Sequence, residues 1–79
     1  MKIVYDERAD ILQIQFIPCS VEETTQIAPG LVLDYDEDGR VIGLEIRKAS
    51  TRVDDPKAIF YTIDNADADK PQPKVNDTR

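Results

Sequence analysis

Residues 31–46, LVLDYDEDGRVIGLEI, consist of two apolar segments separated by an acidic turn. Large side chains occupy alternate positions in each segment: Leu31, Leu33 and Tyr35 in the first, and Ile42, Leu44 and Ile46 in the second. Because side chains alternate between the two faces of a β-strand, each set shares one face. Asp38-Gly39 is a strong signal for a tight turn, since both residue types tolerate positive φ. The stretch therefore predicts a β-hairpin.

The same stretch matches the calcium-loop pattern of an EF-hand, D-x-D-x-D-G-x5-E. The matching positions are Asp34, Asp36, Asp38, Gly39 and Glu45. An EF-hand loop lies between two helices, but Pro29-Gly30 stands where the entering helix would be. On an extended strand, Glu45 would lie roughly 20 Å from the turn, at about 3.3 Å per residue. We therefore expect a hairpin at this position and not an EF-hand.

Few residues could support catalysis or tight metal binding. The chain has no histidine and a single cysteine, Cys19, so it cannot form an internal disulfide and a structural zinc site is disfavoured. No histidine is present to act as the base that would activate Cys19, and the sequence contains no glycine-rich phosphate loop. We predict a protein that is not an enzyme and has no catalytic residues and no cofactor. Weak cation binding at the turn residues Asp36, Glu37 and Asp38 is the metal alternative left open.

Size and charge limit the possible partners. Seventy-nine residues form one domain at most. Sixteen acidic and ten basic residues give a net charge of −6, which disfavours nucleic acid and suits a basic protein partner. No apolar run approaches the roughly 20 residues that cross a bilayer, and the N-terminus lacks the features of a signal peptide. We expect a cytoplasmic protein that binds neither nucleic acid nor membrane.

Other segments complete the predicted sheet. Residues 2–5 and 11–17 indicate two strands, and residues 24–27 begin a third strand that a bend or bulge at 28–30 interrupts. Residues 58–63 favour either a fifth strand or a short helix that starts near Pro56. The predicted fold class is mainly β, or small α+β at most. It is an antiparallel sheet of four to five strands with a central β-hairpin.

The apolar pattern also predicts the domain boundary and the oligomeric state. We expect residues 1–64 to form the β-rich domain and residues 65–79, which contain two prolines and equal numbers of acidic and basic residues, to form a flexible, disordered tail. Val32 and Val41 point away from the main apolar face, so both faces of the small sheet carry apolar side chains that need to be covered. An open sheet also has two edges that need protection. We predict a homodimer formed by sheet packing, edge pairing or exchange of 58–63, with a monomer as the alternative.

A series of short motifs carries a resemblance to a known family. These are Tyr5-Asp6, Ala9-Asp10, Leu12 with Ile14, Ala28-Pro29-Gly30, Leu33-Asp34-Tyr35-Asp36, Gly39, Val41-Ile42-Gly43, Glu45-Ile46, and Ala49-Ser50 with Arg52. In this order and spacing, residues 1–53 resemble the small bacterial domain of unknown function family 2283. The resemblance implies a short β-rich bacterial domain without an established activity. Because some relatives are suspected antitoxins, it also implies an antitoxin-like partner of a small basic toxin as an alternative.

Five residues are expected to have structural roles: Asp10, Pro29, Gly30, Gly39 and Gly43. Asp10 is expected to tie the first turn through bonds from its side chain to the backbone. Gly43 is expected to permit a bulge or a close backbone approach. The leading functional hypothesis is a non-enzymatic protein-interaction module.

Overall fold

A computed structural model describes residues 1–64 of the chain. Within this range, five strands form one antiparallel sheet in the order β1-β2-β5-β4-β3. The strands are β1 (Lys2–Asp6), β2 (Ile11–Gln15), β3 (Glu23–Ala28), β4 (Leu31–Tyr35) and β5 (Val41–Arg47), and a 3₁₀ helix (Ala49–Thr51) follows. The predicted mainly β, antiparallel fold is therefore confirmed. No helix in the described part of the chain is long and apolar enough to cross a membrane.

The predicted central hairpin is present as β4 and β5, and β5 is the middle strand of the sheet. Leu33 lies opposite Leu44, and Leu31 lies opposite Ile46. The alternating apolar side chains of both strands therefore share one face. Gly39 has a φ of +81° in the connecting turn, a conformation that glycine adopts without a steric penalty. The turn chemistry and the strand period were thus sufficient to predict this element.

The interruption predicted at residues 28–30 is a complete reversal of the chain. Residues 23–28 and 31–35 form two separate antiparallel strands, with Glu23 opposite Tyr35 and Ala28 opposite Leu31. Gly30, at φ +81°, makes the reversal possible. A register shift between Gln26 and Ala28 precedes the turn. The prediction of a single interrupted strand was therefore wrong, and β3 is the additional strand of the sheet.

Residues 58–63 form neither the fifth strand nor the short helix that the sequence favoured. A turn at Asp55 leads into this segment, and the neighbouring Lys57 makes an ion pair with Glu7. In this segment, Ile59 lines a shallow depression together with Ile3 of β1. Aromatic and β-branched residues favour a strand only where they can pair and pack on a sheet. Here the segment pairs with no strand among the described residues, and most of its large side chains stay exposed.

The sheet has two chemically different faces. We call the first the apolar face; by strand alternation and register it carries Ile3, Tyr5, Leu12, Ile14, Leu31, Leu33, Leu44 and Ile46. The second, the polar face, carries Lys2, Val4, Gln13, Gln15, Val32, Asp34, Gly43 and Glu45. The buried apolar side chains of the described residues are few: Leu12, Val32, Ile42 and Ala49. The domain therefore has a small core around one central layer. The predicted disordered tail, 65–79, lies outside the described residues.

Candidate functional site

The centre of the polar face is a glycine flanked by carboxyl groups. Gly43 on β5 lies between Gln15 on β2 and Asp34 on β4. One pair further along, Glu45 lies between Gln13 and Val32. Asp34 and Glu45 are therefore diagonal neighbours on adjacent strands, a separation over which long side chains interact.

Asp34 is a buried carboxyl with an unused hydrogen-bonding position. Its exposed fraction is only 4%. Among the described residues, its Oδ1 atom has no hydrogen-bond partner. Burial, and then the nearby Glu45 carboxyl, raise the pKa of Asp34 to about 6. Above this pH Asp34 carries a negative charge, and no ion pair among residues 1–64 includes it.

Gly43 provides the space that the Asp34 side chain occupies. A Cβ atom at position 43 would stand 3.1 Å from Asp34 Oδ2 and 3.1 Å from the Ile14 carbonyl oxygen. A register shift between Asp34 and Tyr35 follows directly. Glycine at this position thus serves a close approach across the sheet and not a turn, because its φ is not positive.

A depression of about 120 Å³ opens beside Asp34 on the polar face. Lys2, Gln13 and Gln15 give it polar walls, and Val4 and Val21 give it apolar walls. The groups around it combine amide donors and acceptors with a carboxyl and an amine. This arrangement can bind a small polar or charged group, but it holds no nucleophile beside a base.

The acidic hairpin turn uses its central carboxylate for structure. Asp36 Oδ1 accepts hydrogen bonds from the backbone N–H groups of Asp38 and Arg40, both at 2.9 Å. Asp36 Oδ2 accepts from Arg40 Nε at 2.7 Å, and Arg40 Nη2 lies at the same distance. The bond from the Arg40 backbone, the largest of these effects, lowers the pKa of Asp36. Asp36 therefore organises the turn.

The two other candidates for cation binding, Glu37 and Asp38, are exposed on this turn. Within residues 1–64, no group of three or more His, Cys, Asp or Glu side chains is placed to hold a metal ion. Weak cation binding at Asp36, Glu37 and Asp38 stays a prediction.

The hairpin also separates the residues of the EF-hand pattern. Its first and last positions, Asp34 and Glu45, meet on the polar face, whereas Asp36 is bound to Arg40 in the turn. The contact between Asp34 and Glu45 was not predicted from the sequence. The register of the hairpin would have predicted this contact, because pairing Asp34 with Gly43 makes Glu45 a diagonal neighbour of Asp34.

Asp10 forms a second polar cluster, at the turn between β1 and β2, where its φ is +58°. Its Oδ1 accepts from the Tyr5 hydroxyl at 2.6 Å and from the Ser50 N–H at 2.9 Å, and its Oδ2 accepts from Ser50 Oγ at 2.7 Å. The bond from Tyr5, and then those from Ser50, lower the pKa of Asp10. The same bond is the main reason that the pKa of Tyr5 rises to about 12. Asp10 thus joins the first turn to the 3₁₀ helix.

The turn between β3 and β4 is held in a related way. The Gly30 carbonyl oxygen accepts from the Arg47 N–H at 2.8 Å. The Arg52 guanidinium packs on Gly30, where a Cβ atom would stand 2.8 Å from Nη2. Pro29 precedes this glycine and is exposed. The contacts of Tyr5, Ser50 and Arg52 were not predicted, although all three residues lie within the motifs of the family resemblance.

A family model described as a protein of unknown function, DUF2283, matches residues 2–50. The chain belongs to the DUF2283 family. The family region of this DUF2283 chain contains all five strands, the Asp34–Glu45 pair and the Asp10–Ser50 cluster. The predicted resemblance is therefore confirmed at the level of the family. Searches of curated proteins and of solved structures gave no significant match.

Proposed function

We propose that this DUF2283 domain is a non-enzymatic protein-interaction module that forms a homodimer through the apolar face of its sheet. The observation that carries the proposal is the incomplete cover of that face. Ile14, Leu33 and Leu44 stay partly exposed, although they lie on the middle strand β5 and on the two strands beside it, β2 and β4. Burying such side chains is favourable by about 25 cal/mol per Å² of apolar surface.

Residues 58–63, two of which line a depression with Ile3 and Tyr5 of β1, add further exposed apolar surface. Phe60 is 88% exposed, Tyr61 83% and Ile63 74%. Contiguous apolar surface of this kind is typical of interaction sites, because monomeric proteins rarely leave it in water. Aromatic side chains are also the residues that interfaces favour. The segment and the sheet face together form one surface suited to a protein partner.

A second copy of the chain is the partner that this surface fits best. Ile14, Leu31, Leu33, Leu44 and Ile46 on the apolar face carry no charge. A two-fold axis brings identical patches together, so an uncharged patch meets no repulsion from its copy. Sheets that pack face to face lie about 10 Å apart, which lets two such faces interdigitate. We place this dimer in the cytoplasm, where a lone thiol such as Cys19 stays reduced.

Sedimentation equilibrium of the full chain and of two variants tests the proposal. Leu44→Lys places a charge on the apolar face, and Gln13→Lys places the same charge on the polar face as the control. We expect a dimer for the parent chain and Gln13→Lys, and a folded monomer for Leu44→Lys by circular dichroism. A monomeric parent chain, or equal effects of the two variants, would contradict the proposal.

A further inference from the structure

The polar face contains a buried hydrogen-bond acceptor that has no donor within the described fold. Asp34 is 4% exposed, and its Oδ1 has no hydrogen-bond partner among residues 1–64. A buried acceptor without a partner is unfavourable, and more so when it is ionised. Asp34 lines the depression beside Gly43, so a group that enters this depression lies next to the buried carboxyl.

The depression has the size of one small planar group. Its volume is about 120 Å³, and an engineered protein cavity of about 150 Å³ holds benzene. A guanidinium group, with four heavy atoms, is smaller than that ring. The amide side chains of Gln13 and Gln15 line the same depression as Asp34. Each can accept a hydrogen bond from an N–H donor.

The carboxyl groups of Asp34 and Glu45 favour a cation at this site, and their number favours a guanidinium over a calcium ion. Asp34 and Glu45 lie together, and Glu45 has the Arg47 guanidinium at 3.6 Å. Lys2 is part of the lining, but it makes no ion pair with Asp34 in the described structure. Calcium needs six to eight oxygen ligands, and residues 1–64 offer no group of three acidic or metal-binding side chains. A guanidinium instead donates from a planar fork and is weakly hydrated.

We propose that the polar face carries a binding site for an arginine side chain of a partner polypeptide, with Asp34 as its anchor and Glu45 as the neighbouring carboxylate. The guanidinium donates to the Asp34 carboxylate at the wall of the depression, and the stem of the side chain lies against Val4 and Val21. The site is on the face opposite to the proposed dimer interface, so it does not depend on the homodimer. The net charge of −6 favours the approach of a basic partner.

An NMR titration of the isotope-labelled full chain tests the site. The probes are blocked Gly-Arg-Gly and Gly-Lys-Gly tripeptides and the free guanidine agmatine, at about pH 7.5, where Asp34 is ionised. We expect saturable shifts of the Asp34, Gly43 and Glu45 amide signals with the arginine peptide. Binding of the lysine peptide should be about tenfold weaker, because an ammonium cannot form the bidentate contact. Equal binding of both peptides, or no saturable shift at these amides, overturns the proposal.

Variants distinguish a specific role of Asp34 in binding from the effect of the negative charge of the whole chain. Asp34→Asn should weaken binding of the arginine peptide about tenfold or more, whereas Asp38→Asn in the exposed turn should leave it unchanged. Lys2→Ala removes a competing cation from an exposed position and should tighten binding. Weaker binding by Lys2→Ala, or equal losses for the two aspartate variants, contradicts the site. Tighter binding of agmatine than of the arginine peptide contradicts a polypeptide as the source of the guanidinium.

Discussion

Gly43 and Asp34 lie opposite each other across β5 and β4, and a methyl group at position 43 would stand 3.1 Å from Asp34 Oδ2. The Ile14 carbonyl oxygen would be equally close, so the new group would be held on two sides. The pair explains why a central strand contains a glycine. Because Gly43 has no side chain, the Asp34 carboxyl can lie close against the sheet.

Replacing this glycine tests the close packing. Gly43→Ala should lower the free energy of unfolding by about 1–3 kcal/mol, as expected for overpacking in a tight site. Without the crowding, alanine would instead stabilise by about 0.4–1 kcal/mol. Urea unfolding measures the difference. A double-mutant cycle with Asp34→Ala should show coupling between the two positions, and strictly additive effects would argue against the contact.

The buried Asp34 carboxyl predicts an unusual dependence of stability on pH. Its pKa is raised from 3.8 to about 6 in the folded chain. Between these values the unfolded state releases a proton that the folded state keeps, so the free energy of unfolding falls as pH rises. The fall should reach up to about 3 kcal/mol, since one pKa unit corresponds to about 1.4 kcal/mol.

Asp34→Asn should abolish this fall, which urea unfolding at a series of pH values would measure. The pKa values of Asp10 and Asp36 are lowered and act in the opposite direction. Their contribution is present above the ordinary pKa of a carboxyl and is lost as the pH falls below it. Parallel pH profiles for the parent chain and Asp34→Asn would exclude Asp34 as the cause.

The Tyr5–Asp10 contact predicts a tyrosine that ionises late. The hydroxyl donates to Asp10 at 2.6 Å, and this bond raises the pKa of Tyr5 to about 12. Asp10→Asn should return the pKa of Tyr5 toward its ordinary value of about 10, because the phenolate would no longer face a carboxylate. Ultraviolet difference absorbance during an alkaline titration follows the change. Ser50→Ala, which removes a donor from the other Asp10 oxygen, is the control and should leave the pKa of Tyr5 high.

Two glycines with the same φ should respond differently to alanine. Gly30 and Gly39 both have φ +81°, where a side chain costs about 1–2 kcal/mol. Nothing lies within 4 Å of a Cβ at Gly39, whereas one at Gly30 would meet the Arg52 guanidinium at 2.8 Å. Gly30→Ala should therefore lower the free energy of unfolding more than Gly39→Ala does.

The Arg52→Ala background supplies the control for this comparison, since it removes the guanidinium and leaves both turns in place. In that background, the losses of unfolding free energy for Gly30→Ala and Gly39→Ala should become equal. A persistent difference would mean that some feature of the β3–β4 turn other than Arg52 distinguishes the two glycines.

Several structural positions were predicted from the sequence, but their contacts, and the pairing of Asp34 with Glu45 at the candidate site, were not. Asp10, Gly30, Gly39 and Gly43 were predicted as structural positions, and the structure gives each of them a specific contact or conformation. Their partners lie far along the chain, as with Ser50, 40 positions after Asp10. Spacing in a sequence does not specify such a pairing.

The sequence by itself determined the elements whose physics is local. Strand period and turn chemistry act between close neighbours, so the hairpin at 31–46 and the antiparallel class followed directly. Only the tertiary structure decided the conformation of residues 58–63, which have strand-like composition but pair with no strand among residues 1–64. It also decided that Asp34 is buried beside Glu45. Burial and pairing depend on which strands become neighbours, because desolvation and hydrogen bonding are set by the whole sheet and not by adjacent residues.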